Sequence, residues 1–380
     1  MRILNDIEAT NPAHGGPMEW VRQYGVAVKS MGHQVDIVSM DSPEASWIES
    51  YPLKIYALGS QLKGFYCPSL VSWLKKHASD YDHIIVHGLW RYPSFGTWRA
   101  LQKLRKPYYV YTHGMLGSWF KKKYPLKHFG KWLYWPWTDY KVLRDARAVI
   151  YTCDQEREHA SQSFWLYRAN EVVIPLGLAA PELDMDKGKL LFYERFPELN
   201  KKQIILFLGR IHEVKGCDLL VQAFSKLAHK YPDAHLVFAG PDPENLEKSL
   251  VKLAENSDIS SRITWTGMLA GDMKWAALYA ADVLALPSHH ENFSFTVAEA
   301  MACSTPVLIS DQVGIWHEVS NYDAGYIASA TLAGTEENLQ AWLQLTTERK
   351  EQLGKNANRC FIEKFEIEHA ARHLIKTING

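Results

Sequence analysis

The sequence has few cysteines and no long apolar run. Its five cysteines are scattered over 380 residues, and none belongs to a Cys-x-x-Cys pair. That spacing supplies neither a disulfide framework nor a zinc site, and it is typical of a reducing compartment. No stretch approaches the roughly 20 apolar residues of a membrane-spanning helix, and acidic residues near the start stand where a signal peptide needs an apolar core. We therefore expect a cytoplasmic protein that is neither exported nor embedded in a membrane.

The chain also has no net charge, since 42 Lys and Arg residues balance 42 Asp and Glu residues. The two signs are unevenly placed. Residues 1–180 hold 22 basic and 15 acidic residues, a net charge of +7, and residues 181–380 hold 20 and 27, a net charge of −7. This distribution argues against a nucleic-acid-binding protein with a uniformly basic face, and it predicts that an anionic partner meets the first half.

Two nucleotide-binding motifs are absent. No predicted strand is followed by Gly-x-Gly-x-x-Gly, which argues against a dinucleotide-dependent dehydrogenase. The sequence Gly-x-x-x-x-Gly-Lys-Ser/Thr is missing as well, which excludes a P-loop kinase.

Short apolar runs alternate with helical patterns along the whole chain. A chain of this length is two to three times the usual domain, so the alternation predicts two domains. Strands are predicted at Arg2–Ile7, Gly32–Met40, His83–His87, Tyr108–Thr112 and Ala148–Thr152, then at Gln203–Leu208, His235–Ala239, Arg262–Thr266, Asp282–Leu286, Pro306–Ser310 and Gly325–Ala328. The predicted fold class is α/β, with two Rossmann-like, doubly wound parallel-sheet domains that face each other across a cleft.

The domain boundary is predicted from a change in composition. Residues 179–189 mix proline, glycine and charged residues without clear periodicity, as a linker does. We therefore assign residues 1–178 to the first domain and residues 190–360 to the second. The last stretch, about residues 361–380, has a helical apolar pattern and is a candidate to pack back on the first domain.

The segment Pro287–Cys303 holds the most informative pattern. Glu291 lies on a predicted loop after a strand, and Glu299 lies on the helix that follows. The backbone amides where this helix begins belong to Asn292, Phe293, Ser294 and Phe295. Such amides favour oxygen atoms or anions, and a carboxylate on the helix can accept two hydroxyl groups of a sugar ring. From the residues alone, a helix-capping Glu291 and a solvated Glu299 remain an open alternative.

A second pattern follows the first predicted strand of the second domain. Arg210 and Lys215 stand five positions apart on one loop before a helix. Both side chains can therefore reach one diphosphate, the arginine as a fork and the lysine as a point charge. The alternative is that both are merely solvated.

Together these patterns resemble the retaining glycosyltransferases of family four, which have the GT-B fold. The first pattern is similar to the family's Pro-Ser-x-x-Glu-Gly-Phe-Gly-x-x-x-x-Glu-Ala-Met-Ala, with Asn292 and Ser294 in place of the two glycines, and the second to its Gly-Arg-x-x-x-x-Lys-Gly. The resemblance covers almost the whole chain. It implies that Arg210 and Lys215 stabilise the leaving diphosphate. It also implies that Glu291 and the amides after it hold the donor sugar, and that Glu299 holds ribose hydroxyls.

The first half carries weaker patterns of the same kind. Gly15 and Gly16 open the first predicted helix, where missing side chains let backbone amides approach a phosphate, although a plain turn is the alternative. The resemblance implies that this loop closes over the donor phosphates and that His113 contacts and orients the donor sugar. We assign His87 and Trp90, which follow another strand, to the acceptor side. A purely structural histidine is the alternative for His113.

The segment Ser118–Lys141 combines six lysines and nine aromatic residues with one acid. Such a surface suits a lipid interface, with lysines at anionic headgroups and rings at the acyl boundary. Two interpretations stay open. The segment either associates peripherally with the cytoplasmic face of a membrane, or it packs its rings into the first domain and leaves the lysines in water.

The predicted activity is metal-independent, retaining transfer from a nucleoside diphosphate sugar of UDP, GDP or ADP type, with no cofactor. The acceptor is a saccharide or lipid-linked saccharide, as in the polysaccharide-building members that the sequence His113-Gly-Met-Leu116 resembles. Asp184 and Asp186 form the Asp-x-Asp pattern that binds Mn or Mg in another glycosyltransferase fold, but they lie in the predicted linker. Two alternatives are a catalytically silent subunit that binds nucleotide sugars, and a phosphorylase or epimerase on the same fold.

Overall fold

The computed structural model describes residues 1–11, 16–59, 65–117 and 125–380. Within these ranges the chain forms two compact units. The N-terminal unit comprises residues 1–179 together with residues 367–380, and the C-terminal unit comprises residues 180–366. Each unit is built on its own parallel sheet with flanking helices. The predicted fold class, two doubly wound α/β halves, is confirmed.

The N-terminal unit contains a seven-stranded parallel sheet. Its strands are β1 (Arg2–Ile7), β2 (Gln34–Ser39), β3 (Lys54–Ala57), β4 (His83–His87), β5 (Tyr109–Tyr111), β6 (Ala148–Tyr151) and β7 (Glu171–Val173). Their order across the sheet is β3-β2-β1-β4-β5-β6-β7. The strand order therefore reverses between β1 and β4, and ligands of such sheets bind beyond the carboxyl ends of the strands at that point.

Six helices of at least one turn connect these strands in the described residues. They are α1 (Gly16–Ser30), α2 (Pro68–His77), α3 (Tyr92–Leu104), α4 (Pro125–Tyr134), α5 (Asp139–Arg144) and α6 (Asp154–Ser161). Asn5 of β1 pairs with Ile85 of β4, and His87 of β4 pairs with Tyr111 of β5. Since residues two apart on a strand share a face, Asn5, His87 and Tyr111 point to the same side of the sheet.

The C-terminal unit contains a six-stranded parallel sheet. Its strands are β8 (Gln203–Leu208), β9 (Ala234–Ala239), β10 (Ile263–Gly267), β11 (Val283–Leu286), β12 (Val307–Ser310) and β13 (Gly325–Ala328), in the order β10-β9-β8-β11-β12-β13. Its helices are α7 (Met185–Arg195), α8 (Cys217–Leu227), α9 (Glu247–Asn256), α10 (Asp272–Ala280), α11 (Phe295–Ala302), α12 (Trp316–Asn321), α13 (Leu332–Leu343) and α14 (Thr347–Cys360). Strands such as β8 are buried on both faces, as continuous apolar runs require. Here the order reverses between β8 and β11.

Two strands of the N-terminal sheet have no counterpart in the sequence prediction. They are β3 and β7, which form the two edges of the sheet. Each has three or four residues and is only partly buried, so it shows no apolar run for a pattern to detect. Edge strands need little hydrophobicity because one side remains in solvent.

Part of the predicted linker is helical, because α7 begins at Met185. Its N-cap is Asp184, whose carboxylate accepts hydrogen bonds from the amides of Asp186 and Lys187. Gly188, which suggested a flexible linker, lies against α10, where an added Cβ would stand 2.8 Å from Cδ2 of Tyr279. Close helix packing rather than flexibility accounts for this glycine.

The last helix, α15 (Ile367–Asn379), belongs to the N-terminal unit. It packs against α1, and the carbonyl of Ile378 accepts a hydrogen bond of 2.8 Å from the buried hydroxyl of Tyr109. Buried residues recur on one side of the helix, as its apolar pattern predicts.

Candidate functional site

In the C-terminal unit, the two sequence patterns meet where the strand order reverses. The loop after β8 carries Arg210 and Lys215, and the loop after β11 carries Glu291. Gly216 has a φ of +66°, and a Cβ at this position would stand 2.3 Å from the carbonyl oxygen of Pro287. The glycine therefore allows the two loops to touch, and the amide of His289 donates a 2.8 Å hydrogen bond across them to Val214.

Lys215 and Glu291 form an ion pair at the junction of the two loops. The ammonium group of Lys215 donates to Oε2 of Glu291, and each side chain keeps less than a fifth of its surface exposed. Arg210 is exposed and has no ion-pair partner among the residues that the structure describes. The reversal point thus holds a partly buried pair of one cation and one carboxylate, and Arg210 lies on the same loop as that cation.

A second ion pair, which the sequence analysis did not predict, holds Glu299. Nζ of Lys274, on α10, lies 2.6 Å from Oε1 of this carboxylate and 4.4 Å above the ring of Trp275. Lys274 belongs to none of the patterns that single out Arg210 or Glu291. Only the packing of α10 beside α11 brings it to the site.

The segment between the two glutamates bends sharply before α11. Ser294 is the N-cap residue and is buried, with a φ of +61°, in the left-handed region. The ring of Phe293 is buried against Phe295 and Phe365, so its side chain is part of the core. The amides of the first turn of α11, which begins at Phe295, have no partner within the helix, and such amides favour an anion or an oxygen atom.

In the N-terminal unit, three polar side chains form a hydrogen-bonded row near the reversal between β1 and β4. Oδ1 of Asn5 lies 2.9 Å from Nε2 of His87, and Nδ1 of His87 lies 3.0 Å from Nε2 of His113. The imidazoles stack on each other and on Tyr111, and Trp20 of α1 packs against them. His113 has a φ of +49°, a strained conformation of the kind found at functional sites.

Burial keeps this row of side chains uncharged. Desolvation lowers the pKa of His113 to about 3. It also lowers the pKa of His87 well below its usual value, and the neighbouring His113 adds to that effect. Both rings are therefore neutral near pH 7.

Two further predicted site residues, Trp90 and Gly16, lie in the described part of the N-terminal unit. The indole nitrogen of Trp90 donates to the carbonyl of Met115 at 2.9 Å, and its ring stacks near Trp135 and Phe164. Its polar atom is thus used internally. Gly16 begins α1 with a positive φ, whereas Gly15 lies outside the described residues.

The described part of the Lys/aromatic segment exposes several large apolar side chains. They are Leu126, Phe129, Trp132, Leu133, Tyr134 and Trp137, and Trp165 lies near them. Residues 118–124 lie outside the described residues.

No helix in the described ranges is long and apolar enough to cross a bilayer. In the same ranges, no three His, Cys, Asp or Glu side chains cluster as metal ligands would.

Two family models match the two halves of the chain. Residues 15–177 match the model described as Glycosyl transferase 4-like domain, and residues 192–360 match the model described as Glycosyl transferases group 1.

Two enzymes are similar to this chain in sequence. D-inositol 3-phosphate glycosyltransferase of Rhodococcus jostii is 30% identical over 184 residues, which are 47% of this chain and 40% of that protein. The match thus spans less than half of that enzyme. Mannosylfructose-phosphate synthase of Agrobacterium fabrum is 24% identical over 338 residues, which are 80% of this chain and 73% of that protein.

Solved structures share the whole fold. HepE from Anabaena, in complex with UDP and glucose, is 16% identical with a TM-score of 0.77, and the match covers 100% of both chains. Sucrose-phosphate synthase from Thermosynechococcus elongatus is 22% identical with a TM-score of 0.79, over 100% of this chain and 98% of that one. Since the two models together span both units and the fold is the same, the chain belongs to the GT-B glycosyltransferases of family four.

Proposed function

We propose that this chain is a retaining, metal-independent glycosyltransferase. It moves a sugar from a nucleoside diphosphate sugar to a saccharide or lipid-linked saccharide in polysaccharide synthesis. The observation that carries the proposal is the ion pair of Lys215 and Glu291 at the strand reversal of the C-terminal sheet, with Arg210 on the same loop as Lys215. Structures of HepE with UDP and with UDP-glucose make UDP the first nucleotide to test.

In the proposed reaction, the acceptor hydroxyl attacks the anomeric carbon on the face from which the diphosphate leaves. The bond from the acceptor oxygen to the carbon forms as the bond from carbon to phosphate oxygen breaks, and the hydroxyl proton passes to the departing phosphate. Arg210 and Lys215 stabilise the charge that develops on this phosphate, which is electrostatic transition-state stabilisation. Glu291 and the amides after it hold the sugar, Glu299 holds ribose hydroxyls, and His113 orients the sugar.

Binding and turnover test separate parts of the proposal. A thermal-shift panel of UDP, GDP and ADP identifies the base, since a ligand at 100 times its dissociation constant adds about 2.7 kcal/mol of stability. NMR of the product then reports the anomeric configuration. Binding without hydrolysis or transfer from any sugar nucleotide would favour the catalytically silent subunit, and an inverted product would overturn the retaining mode.

We also propose that the N-terminal unit associates with anionic bilayers through the exposed aromatic surface of residues 126–137 and 165. Lysines lie among these rings, and Nζ of Lys141 is 5.8 Å from the ring of Trp137. Rings at the acyl boundary with cations at the headgroups are what an interfacial surface requires. A groove of about 590 Å³ between Phe129, Trp132 and Trp165 adds apolar area to this surface.

Co-sedimentation with vesicles tests this proposal. Wild type should bind phosphatidylglycerol vesicles more tightly than phosphatidylcholine vesicles, and added salt should weaken the binding. Replacement of Phe129, Leu133 and Trp137 by serine should abolish it. Met268→Ser, which changes an exposed apolar residue of the other unit, is the matched control. Equal binding by the triple variant and wild type would overturn the proposal.

A further inference from the structure

The hydrogen bonds between Asn5, His87 and His113 also determine which ring nitrogens of the two histidines carry protons. Two neutral imidazoles carry two ring protons between them. The 3.0 Å contact between Nδ1 of His87 and Nε2 of His113 needs one of these protons. If His87 supplies the proton between the rings, Nε2 of His87 is an acceptor. If His113 supplies it, Nδ1 of His113 is the acceptor.

In this structure Nδ2 of Asn5 is buried with no partner among the described residues, and the orientation of the Asn5 amide selects one arrangement. Its Oδ1 atom faces Nε2 of His87 at 2.9 Å, and an amide oxygen only accepts. Nε2 of His87 must then carry a proton, so Nδ1 of the same ring has a lone pair. The bridging proton consequently belongs to Nε2 of His113, which leaves Nδ1 of His113 as an acceptor.

We propose that Asn5 and His87 are positioning residues that hold His113 in the tautomer with an unprotonated Nδ1, so that this atom accepts a hydrogen bond from a substrate hydroxyl. Nδ1 of His113 has no hydrogen-bond partner among the described residues. It is also absent from the fully buried polar atoms, so a ligand can reach it. The substrate part of this inference rests on the proposed function, whereas the tautomer does not.

Two aromatic side chains, Tyr111 and Trp20, pack against the row. The stacked ring of Tyr111 and the packed indole of Trp20 restrict rotation of both imidazoles. Burial disfavours the imidazolium form of each, which would turn the acceptor into a donor. A hydrogen-bond chain of fixed direction therefore runs from His113 through His87 to β1.

The tautomers can be measured without a substrate. In protein labelled with ¹⁵N histidine at pH 7, His87 and His113 should both show a protonated Nε2 and an unprotonated Nδ1. Protonated Nδ1 in both rings would mean that the chain runs in the opposite direction and would overturn the proposal. In His87→Leu, His113 should lose its fixed tautomer, and an unchanged His113 spectrum would also overturn it.

Two further variants separate positioning from packing. His87→Gln keeps an acceptor toward His113 and a donor toward Asn5, so it should restore the His113 tautomer. Tyr111→Phe keeps the same stack and removes only a hydroxyl that has no partner among the described residues, so the tautomers should remain those of wild type. A His87→Gln variant that resembles His87→Leu would count against a hydrogen-bonding role.

The role of His87 in the reaction is tested by measuring the hydrolysis of UDP-glucose. His87→Leu should lower kcat roughly 10- to 100-fold, the cost of a misplaced catalytic contact, with little change in KM, and His87→Gln should recover most of it. Full activity in His87→Leu would overturn the role in the reaction. If the spectra agree but wild type turns over no nucleotide sugar, the proposed function fails and the tautomer assignment stands.

Discussion

Burial shifts pKa values toward the neutral form in both units, as at His235 and Asp282, but the groups at the two candidate sites are held in different ways. In the N-terminal unit, burial drives such groups toward neutrality: the pKa of Asp6 rises to about 7, that of Asp139 rises to about 6, and that of His113 falls to about 3. In the C-terminal unit, Glu291 and Glu299 each face a lysine instead. One site is a neutral hydrogen-bonding surface, and the other is a set of paired charges.

The local charge of each cluster differs from the net charge of its half. The N-terminal half carries +7 overall, yet the row at its strand reversal is uncharged. The C-terminal half carries −7, yet Lys215 and Lys274 lie beside Glu291 and Glu299 of its candidate site. Net charge reports the whole surface, whereas binding depends on the few groups that the topology brings together.

The largest expected effect comes from removing a cation of the C-terminal site. Lys215→Ala and Arg210→Ala should each raise the barrier to transfer by roughly 2–4 kcal/mol, if they act as preorganised electrostatic groups. Steady-state kinetics with the nucleotide sugar chosen by thermal shift measures this. The matched control is Lys226→Ala, which breaks the exposed pair with Glu336 in the same unit. If both site variants keep rates within about twofold of wild type, Arg210 and Lys215 do not stabilise the leaving diphosphate.

A neutral Asp6 predicts a pH dependence of stability. Its folded pKa, about 7, exceeds its ordinary 3.8 because of burial, so between these values the folded state binds more protons than the unfolded state. Stability from this group therefore falls as the pH rises from about 4 to about 7. Relative to Asp6→Asn, wild type should lose on the order of 2 kcal/mol between pH 5 and pH 8, as measured by urea denaturation.

Asp145 provides the control for this pH dependence. Its hydrogen bond from Arg144 lowers its pKa below 3.8, so the stability it contributes is lost only below about pH 4. The difference between wild type and Asp145→Asn should therefore stay constant from pH 5 to pH 8. A flat Asp6→Asn difference over the same range would mean that Asp6 is ionised in the folded protein.

The sequence predicts the fold and the charged candidate site of the C-terminal unit better than the neutral cluster of the N-terminal unit. Strands β1, β8 and β13 are predicted with their observed bounds, and for β8 the reason is an uninterrupted apolar run that is buried on both faces. Arg210, Lys215, Glu291 and Glu299 lie within short local patterns. Lys274 and Asn5 lie outside any pattern, since only tertiary packing brings α10 to α11 and β1 to β4.

A smaller effect is expected when Glu299 loses its lysine. Lys274→Gln removes the charge at 2.6 Å but keeps a donor of similar length. Because the pair is partly exposed, we expect nucleotide affinity to weaken roughly fivefold, about 1 kcal/mol. Thermal-shift titration with UDP measures it. The same loss in Lys226→Ala would mean that the effect is one of overall charge rather than of the site.

A still smaller effect, on the free energy of unfolding, is expected from relieving backbone strain at Ser294. A residue with a side chain at a φ of +61° is strained by about 1–2 kcal/mol, and glycine removes that strain while adding about 0.5–1 kcal/mol of backbone entropy cost. Ser294→Gly should therefore stabilise the fold by about 0.5–1 kcal/mol in denaturant. Ser304, at a φ of +60° outside the site, should give a similar gain as Ser304→Gly. A gain only at Ser304 would mean that the Ser294 side chain stabilises the loop.

The last prediction is that removing divalent metal changes nothing. The proposed function assigns charge neutralisation to Arg210 and Lys215, and the Asp184 carboxylate is already occupied by the amides of Asp186 and Lys187 as a helix cap. Transfer measured in EDTA should therefore equal transfer in Mg or Mn. Asp184→Ala should cost about 1 kcal/mol of stability through the lost cap and leave turnover unchanged. Activity that disappears in EDTA and returns with Mn, together with an inactive Asp184→Ala, would instead make this aspartate a metal ligand.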